Sequence, residues 1–146
     1  MKKMIEIKQQ PLTQDLKSQV DEGFTHHAIS IVGHDEKFEP VAFVALEENR
    51  MVGIVVGQLF WGALHVKYLF VHDHYRGKGL GSRLMEQVIA YGYANKCPFA
   101  FVETMSFQAL EFYTKLGFQL ELTRFGYAHG TSFHYLRKDL QEKVNG

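Results

Sequence analysis

The sequence predicts an α/β chain: a mixed, mostly antiparallel central sheet with helices on both faces, forming one domain over residues 1–146. Three observations lead there. Residues 40–71 hold three consecutive apolar runs separated by short turns, the pattern of an antiparallel meander. A glycine-rich loop and a helical repeat then lead to another apolar run at 99–104, and a strand–helix–strand crossover joins parallel strands. Two further runs, 119–127 and 131–140, read as a closing hairpin.

MIEIKQ (4–9) alternates apolar and polar residues, the period of a first strand. Residues 12–33 read as one or two helices broken near Gly23, with Thr13 as N-cap. PVAFVALEE (40–48) is a strand, Asn49-Arg50 turns the chain, and MVGIVVGQLF (51–60) pairs back. Trp61-Gly62 makes a second turn before ALHVKYLFV (63–71). Leu80, Leu84, Val88 and Tyr91 recur at helical spacing, giving a helix over 79–96 that ends ahead of Pro98. FAFVET (99–104) is nearly continuously apolar, as in a strand covered on both faces. ALEFYTKL (109–116) is a short helix stopped by Gly117, with Phe118 placed to fold back on it. The last hairpin turns around His129-Gly130.

Bulk composition narrows the function. Apolar residues make up 46% and charged residues 22%, as in an ordinary globular chain. Lys+Arg and Asp+Glu balance at 16 each, which argues against a general nucleic-acid or polybasic membrane binder. The single cysteine, Cys97, makes no intramolecular disulfide and belongs to no Cys-based zinc pattern. The lysines of MKKMIEIKQQ precede no apolar run, so no signal peptide is read, and no window approaches the length of a membrane span. The expected location is the cytoplasm. No internal repeat or linker divides the chain.

The chemistry concentrates in VHDHYRGKGLGSRLM (71–85), where three glycines fall within five positions beside Arg76, Lys78 and Arg83. A Gly-rich loop between a strand and a helix is a phosphate cradle in the making. The first turn of a helix offers N–H groups without partners and about half a positive charge. The plainer reading is a turn with solvated cations. The spacing is neither G-x-G-x-x-G nor G-x-x-x-x-G-K-[ST], so neither a dinucleotide fingerprint nor a P-loop is supported.

YLFVHDHYRGKGLGSRLM (68–85) resembles the acetyl-CoA-binding motif of the GNAT acyltransferase superfamily, [R/Q]-x-x-G-x-[G/A] after a strand, here Arg76, Gly79 and Gly81. SFQALEFYTKLGF (106–118) is similar to the family's later motif, N-x-x-A-x-x-[L/F]-Y-x-x-x-G-F. The match covers about 64–118, and the order of elements fits along nearly the whole chain. The resemblance implies that strands 63–71 and 99–104 splay apart and admit acetyl-CoA as co-substrate. Backbone groups of Leu69, Phe70 and Val71 would hold its pantetheine arm, and the Leu69 N–H would polarise the thioester carbonyl. Arg76, Gly77, Lys78, Gly79, Leu80, Gly81 and Ser82 would cradle the pyrophosphate. Ser106 stands where the later motif opens with Asn, so its contact with the cofactor is an open expectation, beside a role as helix cap.

The same resemblance gives Tyr113 the task of protonating the departing thiolate, against the plainer reading of a packed core tyrosine. The family's usual base is a glutamate before the glycine loop, and its place here is taken by His65. Glu103, at the end of the partner strand, is the rival base, with Tyr68 and His134 as weaker ones. His72 and His74 form an H-x-H pair with no evident third ligand and read as solvated loop histidines, so no metal is expected. His26 and His27 point apart on a helix. Phe24, Trp61, Phe107 and Phe125 are candidate pocket walls among aromatics that otherwise read as core.

The implied function is N-acetyl transfer from acetyl-CoA to a primary amine by direct attack in a ternary complex. A non-catalytic acyl-CoA-binding module stands beside it, motivated by the replaced glutamate and asparagine, and a different phosphate-ligand protein is a weaker third. The acceptor is a small-molecule or peptide amine, held by 20–35, 60–65 and 124–134. Those stretches lack a carboxylate cluster, which speaks against a polycationic acceptor. No nucleic-acid or membrane partner is expected, and the aromatics of the last hairpin are compatible with a homodimer.

Overall fold

A computed structural model of the chain describes residues 4–106 and 110–140. Its contacts divide it into two units, residues 1–35 and 36–146. The first unit holds α1 (Gln14–Val32), capped at both ends: Thr13 accepts a hydrogen bond from the Leu16 N–H, and Gly33 turns left-handed at φ 79° while its N–H reaches Ile29 O. The helix runs unbroken through Gly23. One interior glycine costs about 1 kcal/mol, less than two complete caps and the intervening hydrogen bonds recover. Residues 4–12 carry no regular secondary structure, so the expected first strand at 4–9 is absent. Alternation yields a strand only when the backbone finds a ladder and the apolar side chains find cover. Met4, Ile5 and Ile7 are exposed instead.

In the second unit the elements run β1 (Val41–Glu47), β2 (Arg50–Phe60), β3 (Ala63–Val71), α2 (Leu80–Ala94), β4 (Phe99–Met105), α3 (Leu110–Lys115), β5 (Gln119–Arg124) and β6 (Phe133–Asp139). The six strands form one sheet in the order β1-β2-β3-β4-β6-β5, and β3 and β4 are its parallel pair. The turn residues Glu48, Asn49 and Trp61 take positive φ, as the two tight hairpins require. β6 returns from its hairpin with β5 to lie between β5 and β4.

Strand alternation sets one face of the sheet against α2 and α3. Val55, Leu64, Val66, Ala100, Val102 and Leu136 form its buried surface, joined by Leu84, Met85 and Val88 of α2 and Tyr113 of α3. Each fully buried apolar side chain contributes about 1.5–3 kcal/mol. Phe118 is buried with them, and its N–H returns to Tyr113 O at 3.0 Å across the left-handed Gly117, as expected of the helix stop. α2 reaches the sheet because glycines leave room. A Cβ on Gly57 would stand 2.6 Å from Val88 Cγ2, and one on Gly92 would stand 2.9 Å from Leu64 Cδ2.

One irregularity is invisible to the hydrophobic pattern. Val56 pairs with Tyr68 but Gly57 with Val66, so Lys67 bulges out of the ladder. The bulge changes which side chains face inward, from Leu64 and Val66 before it to Leu69 and Val71 after it. Among the described residues no helix is long and apolar enough to cross a membrane.

Gly57→Ala drives a methyl into Val88 and is expected to destabilise the chain by about 1–3 kcal/mol, read as a lower urea midpoint. Val88→Ala removes the clash. The double variant is therefore expected to be more stable than the sum of the two single losses.

Candidate functional site

The site starts where β3 and β4 stop pairing. Their ladder holds Leu64 to Ala100 and His65 to Phe101 and goes no further, although the strands run on to Val71 and Met105. Beyond that point β3 has a free edge among the described residues. The edge's orientation follows from one bond: the His72 N–H reaches Val52 O on β2 at 2.9 Å. Polar backbone groups alternate sides along an antiparallel strand, so those of Phe70 point to β2 as well and those of Leu69 and Val71 point into the gap toward β4.

The gap opens onto a cleft of about 720 Å³ lined by Leu69, Phe70, Val71, Tyr75, Arg76, Gly77, Gly79, Leu80, Gly81, Ser82 and Phe112. Nine of the residues singled out from the sequence thus meet on one surface. Tyr75 and Phe112 join them without having been singled out. For Phe112 the signal was its place beside Tyr113 in the later motif.

The loop between strand and helix is built on left-handed glycines, Gly77 at φ 75° and Gly79 at φ 81°, with open space where a Cβ would be. Gly79 is the N-cap of α2 and offers no side chain to it, and no acidic residue stands in the first turn. The first intrahelical bond is Arg83 N–H to Gly79 O at 3.1 Å. The N–H groups of Leu80, Gly81 and Ser82 therefore face the cleft's end without a helical partner. Gly81 has a packing reason too, since a Cβ there would touch the Phe112 ring at 3.4 Å.

Arg76 is engaged within the loop. Its Nε donates to Val71 O at 2.9 Å and its Nη1 lies 3.1 Å from Asp73 Oδ1. The guanidinium ties the loop to the end of β3 and leaves the Val71 N–H as that residue's group facing the gap. Lys78 points elsewhere, into a neighbouring hollow shared with Arg83 and Glu47. Ser106 is not on the cleft. Its N–H reaches Ser132 O at 2.8 Å and its Oγ accepts from the Ser132 N–H at 2.9 Å, so it fastens the end of β4 to the start of β6.

Tyr113 is buried between Phe112 and Phe118, with ring centroids 5.2 and 5.8 Å away. Burial pushes its phenol up from the usual value. His65 and Glu103, rivals in the sequence, are partners in the structure: His65 Nε2 and Glu103 Oε2 stand 2.8 Å apart, both half-buried. The His65 ring stacks flat on Phe101, 4.5 Å between centroids and 4° between planes. The pair lies on the sheet face opposite α2, at the place where β3 and β4 begin to part. Of the weaker rivals, Tyr68 is exposed. His134 sits on the α2 face with Nδ1 2.8 Å from Thr123 Oγ1. Trp61 and Phe125 are exposed, and Phe107 lies outside the described residues. His72 packs edge-on against Phe70, and among the described residues no three metal-ligating side chains converge.

The family model described as an acetyltransferase (GNAT) domain matches residues 39–120. Blasticidin-S acetyltransferase of Streptomyces morookaense is 38% identical over 95 residues, which are 64% of this chain and 70% of that protein. An acetyltransferase of known structure from Bacillus cereus ATCC 14579 is similar over 94% of this chain and 98% of its own, at 27% identity and a TM-score of 0.80. An acetyltransferase from Bacillus anthracis str. Ames, solved in complex with acetyl coenzyme A, shares the fold over 70% of this chain and 64% of its own, at 23% identity and a TM-score of 0.64.

The Tyr113 phenol gives a signed prediction. The folded chain holds that proton at a pH, about 10, where the unfolded chain releases it. The native state then binds more protons, so this share of stability is whole below about pH 10 and is lost as pH climbs through the raised native value. Between about pH 9.5 and 11 the wild type is expected to lose urea-unfolding stability faster than Tyr113→Phe. Parallel curves would show that the phenol carries no such linkage.

Proposed function

Because this chain belongs to the GNAT acetyltransferase family, we propose that it moves the acetyl group of acetyl-CoA to a primary amine by direct attack in a ternary complex. The observation that carries the reading is the cleft itself, where an uncapped helix N-terminus and an unpaired strand edge meet. A pyrophosphate suits the first and an amide-bearing pantetheine arm suits the second. Gly77, Gly79 and Gly81 give close backbone access, the amides of Leu80, Gly81 and Ser82 donate, and Lys78 adds charge nearby without a direct contact. The Leu69 and Val71 N–H groups bind the arm along the gap. The Leu69 N–H also polarises the thioester carbonyl.

In this reading the amine nitrogen bonds to the carbonyl carbon, the C–S bond breaks, and CoA departs as a thiolate. His65 takes the proton that frees the amine's lone pair, and Tyr113, which stands where the family's later motif has its tyrosine, protonates the thiolate. Its burial keeps the phenol protonated, as a donor must be. Blasticidin-S acetyltransferase is named for a small-molecule acceptor, which favours a small amine over a peptide for this chain as well. The buried free thiol of Cys97 fits a reducing compartment such as the cytoplasm. The binding-module reading keeps its motive, since His65 replaces the usual glutamate and Ser106 is engaged with Ser132.

Two measurements test these readings, and the second separates them. CoA is expected to raise the thermal midpoint. Ser82→Glu puts a carboxylate in the first turn of α2, where it favours the helix by about 0.3–1 kcal/mol but repels a pyrophosphate. That variant is expected to be at least as stable alone and to bind CoA at least about tenfold more weakly. No midpoint shift in the wild type would end both readings. Acetyl transfer to a panel of primary amines, followed as released thiol, is expected to fall about 10²–10⁴-fold in His65→Ala and Tyr113→Phe with CoA affinity unchanged. Background turnover in all three proteins would leave the binding module.

A further inference from the structure

We infer that Glu103 is a positioning residue that fixes which nitrogen of His65 works as the base: Nε2 holds the ring proton against Glu103, and Nδ1 is the atom that takes the proton of the amine. The inference rests on the acetyl-transfer reading above and assigns the base within it.

For a neutral ring beside an ionised carboxylate, the contact leaves one tautomer. Nε2 and Oε2 stand 2.8 Å apart, the length of a charge-assisted bond. An ionised carboxylate has no proton to give and can only accept. The proton between them therefore belongs to Nε2, and a neutral imidazole then carries its lone pair on Nδ1. Among the described residues the bond to Glu103 is the one hydrogen bond of the His65 ring. The ring is also held in plane. It lies on Phe101, its ladder partner, and Phe60 meets Phe101 edge-on at 6.2 Å. Neither carboxylate nor imidazole can turn away without losing the stack or the bond.

The neighbouring strands set the charges that the pair experiences. On β2, Gln58 is the register partner of His65, and the Lys67 ammonium bonds its Oε1 at 3.1 Å. On β6, Tyr135 faces Glu103 and Arg137 faces Phe101. Arg137 lies over the Phe99 ring and bonds Asp139, and Arg124 donates to Tyr135 Oη. Glu103 is thus the anion in direct contact with the imidazole. When Nδ1 takes one proton from R–NH3⁺, the products are R–NH2 and an imidazolium whose Nε2–H still faces a carboxylate. The same contact then stabilises the charge it helped to create. The second amine proton leaves as the amide forms, the thiolate takes one up, and the net release is a single proton.

The test reads the ring directly. In ¹⁵N-histidine-labelled protein near neutral pH, long-range ¹H–¹⁵N correlation reports the tautomer of each ring, and His65→Asn identifies the signals of His65. The expected result is the Nε2–H tautomer in the wild type and a mixture in Glu103→Gln, whose amide can donate as well as accept. An Nδ1–H ring in the wild type, or a ring unmoved by Glu103→Gln, would overturn the inference. Thermal midpoints near the wild-type value show that both variants are folded. In turnover, Glu103→Gln is expected to lower kcat about 10- to 100-fold with both KM values unchanged, the range known for removing a carboxylate that orients a metal-bound histidine. Activity retained in His65→Asn but lost in Glu103→Gln would reverse the two roles and also overturn it. Absence of acetyl transfer by the wild type would defeat the acetyl-transfer reading and leave the tautomer result standing as a fact about the pair.

Discussion

β3 and β4 lie side by side over two residue pairs and then separate, and that short parallel ladder sets up everything around the cleft. Because pairing ends at His65 and Phe101, the next polar groups of β3 face a gap where a longer ladder would have used them. Because the strands separate at that residue, the imidazole on one and the carboxylate two positions along the other can meet across the opening. A sheet satisfies its backbone groups wherever it can. A free edge in mid-sheet is therefore a cost, and one that an amide-bearing ligand would offset.

The two capped ends of α1 and the bare start of α2 make an instructive contrast. Thr13 and Asp15 give α1 a side-chain acceptor and a negative charge in its first turn. α2 begins on a left-handed glycine with neither, although it is the helix that anchors the core. A Ser or Asp side-chain cap would gain about a few tenths of a kcal/mol over glycine. The same cap would occupy the N–H groups at the end of the cleft. The loop recovers part of that stability through Arg76, whose bond to Val71 O secures it to β3.

Much of this was legible in the chain. The hairpins announced themselves through tight turns between β-branched runs, and α2 through Leu80, Leu84, Val88 and Tyr91. The cleft was legible because its residues are nearly contiguous, from Leu69 to Ser82. What escaped was non-local. His65 and Glu103 are separated by 38 positions, and only the register of a parallel ladder decides that they touch. The bond between Ser106 and Ser132 depends likewise on β6 lying beside β4. The bulge at Lys67 leaves no compositional mark, yet it decides that Leu69 and Val71 turn inward. The 4–9 segment failed for the opposite reason: its alternation is a local signal with no ladder behind it.

The place of β6 in the sheet has a consequence for how the chain is made. It is the last strand described, yet it sits inside, between β4 and β5. On the ribosome, β1 to β4 emerge first, and the meander of β1, β2 and β3 can close early because its contacts are near in sequence. β4 and β5 have no common neighbour until residues 133–139 clear the exit tunnel. Until then β4 exposes its far edge and Leu136 is missing from the apolar centre. The nascent chain thus waits with an open edge, the form most prone to pair with a neighbour. A pause in synthesis between β5 and β6 would lengthen that wait.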